Sequence, residues 1–304
     1  MLERGKRGQI SIFIVIAIVI VVAIVGYFLI KGNIKNDNSN QEFSEVYSYY
    51  SSCIEQAAKT GIDVASVRGG RLEQQPYNPG SDYAPFGDQL VVGGASVPYW
   101  MTVEGNGVLR ENVPTEAEVE SELADYISGR LNGCDFDIYR NKGLEVYLES
   151  PRVTVNVLGD GVTVQVDSRL SVSGENFSSS KTNFDVQLQS NFGSMLAEAK
   201  KLYAKQQASL FLENYSYDVL RLYAPVDGVE IQCAPKTWVG REVISDLKSG
   251  LQANIESLKF DATKNDYFSV DFKAQNSVQA LYSPDWPSRF EIYGNKGELL
   301  QADP

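Results

Sequence analysis

Histidine is missing altogether from this chain of 304 residues. No Ser-His-Asp or Cys-His nucleophile can be assembled without it, nor a His-ligated zinc site. The usual general base near neutral pH is lost as well. Carboxylate-only chemistry and Ser-Lys or Lys-based chemistry survive this exclusion. Cysteine is scarce: Cys53, Cys134 and Cys233 form no C-x-x-C pair, so a thiolate zinc site or a thioredoxin-like motif has no support. Basic residues are outnumbered. Beyond residue 35 there are 22 Lys and Arg against 38 Asp and Glu, a net charge of −16. Such a surface repels phosphate backbones, which argues against a nucleic-acid partner. It suits solubility, cation-rich surroundings or a basic partner without choosing among them. No fixed-period repeat stands out.

Against these absences stands one long apolar run, Ile10 to Ile30, whose 21 residues carry no charge. As a helix it spans about 31 Å, close to the hydrocarbon thickness of a bilayer. Its many β-branched residues are poor helix formers in water, but in lipid only a helix satisfies the backbone's own polar groups. A cleaved secretory signal has a shorter core and an Ala-x-Ala type site, which does not follow Ile30. A buried globular helix is rarely so long and so uniformly apolar. The run therefore predicts a permanent single-pass anchor. Arg4, Lys6 and Arg7 precede it and Lys31 and Lys35 follow it. The short, more basic leading flank places the N-terminus in the cytoplasm and the rest of the chain outside.

The hexapeptide Lys6-Arg7-Gly8-Gln9-Ile10-Ser11, running straight into the apolar stretch, resembles the class III signal of archaeal type IV pilin-like proteins. The resemblance implies a prepilin-peptidase cut between Gly8 and Gln9, with Ser11 third in the mature chain and the apolar helix retained. Phe13 stands at the fifth mature position, where the family often has an acidic residue. The motif covers about a tenth of the chain. A wider likeness rests on Cys53-x-x-x-Ala57, Gly69-Gly70, Val97-Pro98-Tyr99-Trp100 and Asp285-Trp286-Pro287. It is similar to large anchored surface proteins of small-genome archaea, some of which extend beyond the point matching Pro304.

The rest of the chain predicts an α+β fold: one N-terminal transmembrane helix, then an extracytoplasmic antiparallel sheet-plus-helix body. The expected divisions are 1–32 for the basic flank and transmembrane helix, and 33–41 for a linker. An α+β domain over 42–224 and a second αβββ unit over 225–304 complete them. The Asn-rich stretch 33–41 lacks the central Gly and terminal Glu of a calcium loop and reads as a spacer. Apolar residues at 43, 46, 50, 53, 54, 57, 58, 62 and 65 keep helical spacing up to Gly69-Gly70, a C-cap signal. The helix either continues as a stalk or packs on the body, and Tyr47, Tyr49 and Tyr50 favour packing.

Residues 71–96 read as loop and 97–103 as a short strand. Thr115-x-x-Glu118 is a capping box, and Glu116, Glu118, Glu120 and Glu122 suit the positive end of the helix dipole. Two Val-x-Val-x-Val runs around Gly159-Asp160-Gly161 give the strongest hairpin signal. A Ser-rich loop from Ser173 to Thr182 is expected next, then a strand through Phe184, Val186 and Leu188. Long amphipathic helices are predicted from Phe192 to about Asn214, covering the sheet, and from Val243 to Leu258, followed by strands around 268–272, 278–282 and 290–292.

The candidate functional residues are few. An oxidising exterior favours a Cys53–Cys134 disulfide; the alternative is three small buried thiols. Asn176 and Asn214 open N-glycosylation sequons. Ser178-x-x-Lys181 has the spacing of a Ser-Lys dyad, but that pair needs a helix, and this one lies in a polar connection between strands. No cofactor, metal or catalytic constellation is expected. The partners expected are the lipid bilayer and envelope proteins, glycans or like subunits, for a non-enzymatic surface protein or a pilus-like subunit.

Overall fold

A computed structural model describes residues 20–21, 43–73, 76, 87–103, 107–175, 177–225, 238–258, 280–285, 290–293, 296 and 299–303. The fold is α+β with antiparallel sheets. Of the Ile10–Ile30 run only residues 20 and 21 are described, both helical, and among the described residues no helix is long and apolar enough to cross a membrane. The spacer 33–41, residues 226–237 beyond the expected break at 225, and the strand expected over 268–272 lie outside the described residues. Of 278–282, residues 280–282 are described and are not strand.

Helix α1 spans residues 43–67. It buries Phe43, Val46, Tyr50, Ile54, Ala57, Ala58, Ile62 and Ala65, the stripe its spacing predicts. Gly69 and Gly70 both take positive φ, 65° and 94°, and the Gly70 amide donates to the Ala65 carbonyl at 2.8 Å. That wrap-around bond satisfies a carbonyl the helix end leaves open, in a conformation glycine adopts without steric cost.

Two short strand pairs stand where the sequence reads as a loop followed by a single strand. Strands β1 (Gln89–Val92) and β2 (Ala95–Pro98) pair around Gly93-Gly94. Strands β3 (Met101–Val103) and β4 (Leu109–Glu111) form a second pair. Helix α2 (Glu116–Leu131) follows Thr115, with the short α3 (Asp137–Arg140) after it.

The main sheet has four strands: β5 (Glu145–Leu148), β6 (Arg152–Val157), β7 (Gly161–Gly174) and β8 (Phe177–Gln189). Strand β7 is central, pairing with β5, β6 and β8. Its even-numbered residues from Val162 to Val172 are all buried, a clean period of two. The Ser-rich stretch 173–182 is not a loop: β7 runs to Gly174 and β8 begins at Phe177. Its polar residues mimic a connection by composition, yet Ser and Thr alternate comfortably on a solvated strand face.

Helix α4 (Phe192–Ser209) stops at Leu210 and α5 (Phe211–Tyr223) starts afresh, where one helix to about Asn214 is expected. Leu210 sits at φ 51°. A left-handed leucine ends the hydrogen-bond ladder at that point, and composition gives no warning of it. Helix α6 (Gly240–Ile255) and the pair β9 (Phe290–Tyr293) and β10 (Leu299–Asp303) complete the described elements.

The chain divides into two units. The first holds residues up to Ala58, Asp125–Thr154 and Val164–Val186; the second holds Lys59–Ala124, Val155–Thr163 and Gln187–Pro304. Helices α1 and α2 and strands β6, β7 and β8 contribute to both.

Candidate functional site: a serine-lined groove beside a disulfide clamp

In the first unit, Cys53 and Cys134 are joined in a disulfide, with Cα atoms 6.4 Å apart across 81 positions of sequence. Cys53 lies in the middle of α1 and Cys134 directly after α2. Closing so long a loop restricts the unfolded chain and is worth about 4 kcal/mol in the chain-entropy account. Around the bridge runs a chain of rings. Tyr49 meets Phe136 and Tyr139 at 5.6 Å, each edge to face. Tyr50 meets Phe184 at 4.8 Å and Phe136 at 6.1 Å, and Phe43 meets Phe177 at 5.0 Å. Edge-to-face pairs of this kind add about 0.5–1.5 kcal/mol each beyond the area they bury. The helix packed on this part of the sheet is therefore α1.

Two hydroxyls in this array are buried without a hydrogen-bond partner, those of Tyr47 and Tyr50. Burial pushes Tyr50 above the ordinary phenol pKa, offset in part by the adjacent Ser168 hydroxyl. The hydroxyl of Ser168 itself donates to the Glu149 carbonyl at 2.6 Å.

Between the first turns of α1 and the start of β8 lies a groove of about 500 Å³, lined by Phe43, Ser44, Tyr47, Ser48, Ser51, Ser179 and Lys181. Ser44, Ser48 and Ser51 fall at i, i+4 and i+7, so they share one helix face. Ser179 and Lys181, both from β8, line the other wall. The Lys181 ammonium rests over the Phe184 ring, 4.7 Å from its centre. This groove is rich in donors and carries a cation on an otherwise acidic body.

The second unit is held together by other chemistry. Thr115 and Glu118 form the reciprocal capping box: the Thr115 amide donates to Glu118 Oε2 at 2.9 Å and the Glu118 amide to Thr115 Oγ1 at 3.2 Å. Arg71 then bridges two turns of α2, reaching Glu118 at 3.4 Å and Glu122 at 3.0 Å. Glu122 also accepts the amides of Leu72 at 2.6 Å and Glu73 at 3.3 Å, and Glu120 accepts that of Val157 at 2.9 Å. The acidic first turns thus tie down neighbouring backbone in addition to meeting the helix dipole. The Glu118 carboxyl is held below its usual range, chiefly by the Thr115 backbone bond and then by Arg71.

Nearby, Trp100 Nε1 donates to the Gly69 carbonyl at 3.0 Å and its ring meets Tyr203 at 5.8 Å. The Tyr203 hydroxyl reaches Glu111 at 3.2 Å; burial first, and that carboxylate second, raise its pKa. At the start of α4 the hairpin turn does double duty, its Gly159 carbonyl accepting the Ser194 amide at 3.3 Å. Gly193 is required there, because a Cβ would collide with the Leu158 carbonyl. A smaller cleft of about 160 Å³ opens beside that turn.

Not all of the sequence candidates come together. Gly8, Gln9, Ser11, Asn176 and Cys233 lie outside the described residues. Asn214 is exposed, but on helix α5 rather than a loop, with Nδ2 donating to the Ser209 carbonyl at 3.3 Å. Ser178 and Lys181 lie on one β strand, both exposed. They lie on an extended strand, so the one-turn helical geometry of a Ser-Lys dyad is not met. Among the described residues no group of His, Cys, Asp and Glu is placed to hold a metal ion. The groove went unread in the sequence, although the Ser44, Ser48, Ser51 stripe was visible at helical spacing. Its other wall comes from more than a hundred residues away.

Compared with protein-family models, curated proteins and solved structures, the chain matches none.

Proposed function

We propose that the protein is a non-enzymatic, single-pass membrane-anchored surface protein acting in envelope structure, adhesion or cell–cell contact. Its N-terminus is cytoplasmic and its α+β body extracellular. The observation that carries this reading is the uncharged Ile10–Ile30 run with its basic leading flank. The Cys53–Cys134 bridge supports it, since such bonds persist in oxidising compartments. The net charge of −16 beyond residue 35 suits a solvated exterior body. Its partners are the bilayer and, beyond it, envelope proteins, glycans or like subunits.

Proteolytic shaving of intact cells, combined with alkaline extraction of their membranes, tests the reading. Release of peptides from the region beyond residue 43, with the N-terminal fragment retained in the alkali-resistant pellet, is the expected result. Full-length protein in the soluble fraction overturns it, as does a body protected until the cells are lysed.

A second reading, a type IV pilus-like minor or tip subunit, is favoured by the Lys6–Ser11 hexapeptide. N-terminal sequencing separates the two. A mature chain beginning at Gln9 supports the filament subunit, and an intact Met1 disposes of it.

A further inference from the structure

We propose that the groove between α1 and β8 is a receptor for the phosphate of a membrane-lipid headgroup. The inference rests on the anchored reading above and gives its body a second, specific attachment to the bilayer.

The chemistry of the groove selects the ligand. Ser44, Ser48, Ser51 and Ser179 bring four hydroxyls to its walls, and Lys181 brings an ammonium with three donors. Among the described residues no carboxylate lines the groove and none forms an ion pair with Lys181. On a body this acidic, a hollow lined by hydroxyl donors and a cation is matched to an anion with several acceptor oxygens. Phosphate has that character, and its hydrogen bonds to ammonium and hydroxyl groups are charge-assisted. The Phe184 ring beneath the ammonium holds it by cation–π attraction, which limits the freedom lost on binding. A volume of about 500 Å³ accommodates more than a bare phosphate and leaves room for the glycerol of a headgroup. Phe43, whose ring is held edge to face on Phe177 at 5.0 Å, supplies apolar surface to the groove, as aromatic side chains do at membrane interfaces.

Chain connectivity selects the source. Twelve residues separate Ile30 from Phe43. Even fully extended they reach only roughly 40 Å, so an anchor in lipid confines the first turn of α1 to the neighbourhood of the bilayer surface. A tether that short raises the effective concentration of headgroups to the millimolar range, where a weak site fills. The net negative charge of the body opposes approach to an anionic surface only over distances of about a Debye length, roughly 8 Å at physiological salt.

The test uses the full-length protein in dodecyl maltoside, a detergent without phosphorus. Dihexanoyl phosphatidylglycerol is titrated in and followed by phosphorus NMR, with inorganic phosphate as the competing probe. A saturable perturbation is expected, weakened roughly ten-fold or more by Lys181→Gln and retained by Lys181→Arg. Lys181 is exposed, so the substitution leaves the core intact, and an unchanged melting curve verifies this. Inorganic phosphate is expected to compete only at much higher concentration. Absence of a saturable shift, or a shift equal in Lys181→Gln, overturns the site. Competition by inorganic phosphate at concentrations equal to the lipid's overturns the headgroup as its source. Recovery of the protein from the soluble fraction of cells strikes instead at the anchored reading, and the micelle titration still decides the groove.

Discussion

The two units of the molecule are held together by opposite means. The first relies on a covalent bridge and a run of packed rings, Tyr49, Phe136, Tyr50 and Phe184 among them. The second relies on carboxylates spent on backbone amides and on Arg71. Reductant opens the disulfide and leaves the carboxylate bonds intact, whereas salt screens the Arg71 pairs, the half-exposed Glu118 arm more than the mostly buried Glu122 arm. The lesson is that stability in this chain is not one quantity. Each unit has its own vulnerability, and the two can be probed separately.

Removing the bridge is the strongest way to break the contrast. Cys53→Ala with Cys134→Ala is expected to destabilise the first unit by about 4 kcal/mol, the chain-entropy value for a loop of this length. The described tryptophans, Trp100 and Trp238, belong to the second unit, so their fluorescence reports on it. Denaturant curves followed by tryptophan emission are expected to shift less than those followed by far-ultraviolet circular dichroism. Equal shifts mean that the two units unfold as one. Next in size is Glu122→Ala, expected to cost about 2–3 kcal/mol. It leaves the Leu72 amide without its 2.6 Å acceptor and removes the closer carboxylate of Arg71. Here the tryptophan curve should move first.

Two smaller changes run the other way. The Tyr50 hydroxyl is buried with no partner, so Tyr50→Phe is expected to raise the stability of the first unit by about 1 kcal/mol. A loss instead would mean that Ser168 contributes a real bond. Leu210→Gly relieves the left-handed backbone between α4 and α5 and is expected to gain about 0.5–1 kcal/mol in thermal unfolding. The side chain given up is half exposed, which keeps the packing loss small.

What the sequence made legible follows the same physical divide. The buried stripe of α1, the β6–β7 hairpin and the capping box at Thr115 are local patterns, each complete within a few turns or residues, and each is present. The Arg71 bracket is not local: its carboxylates lie 47 and 51 positions away and read in isolation as an ordinary acidic first turn. Leu210 illustrates a harder case, since nothing in a leucine's neighbours announces a positive φ. The β1–β2 hairpin did have a signal, Gly93-Gly94 between Val92 and Ala95, but the surrounding Pro, Gly and Asp diluted it. The groove combines both situations, a helical serine stripe legible from sequence and a strand wall supplied by the fold.

The weakest effect sharpens the comparison most, because it isolates charge. Glu118 is half exposed, and its pKa is lowered first by the Thr115 backbone bond and then by Arg71. A carboxyl whose folded pKa lies below its unfolded value binds its proton more readily in the unfolded chain. Its contribution is therefore complete above the usual carboxylate value near 4.5 and is lost as pH falls below that through the lowered folded value. Glu118→Gln is expected to lower the neutral plateau of the tryptophan-detected stability curve slightly and to flatten its acid limb, so that the two proteins converge at low pH. Added salt should shrink the difference between the two proteins, since the Arg71 part of the effect is screened and the hydrogen bond is not. An acid limb equally steep in both proteins would remove Glu118 from the set of charges that hold the second unit, leaving Glu122 and Glu120 to do so.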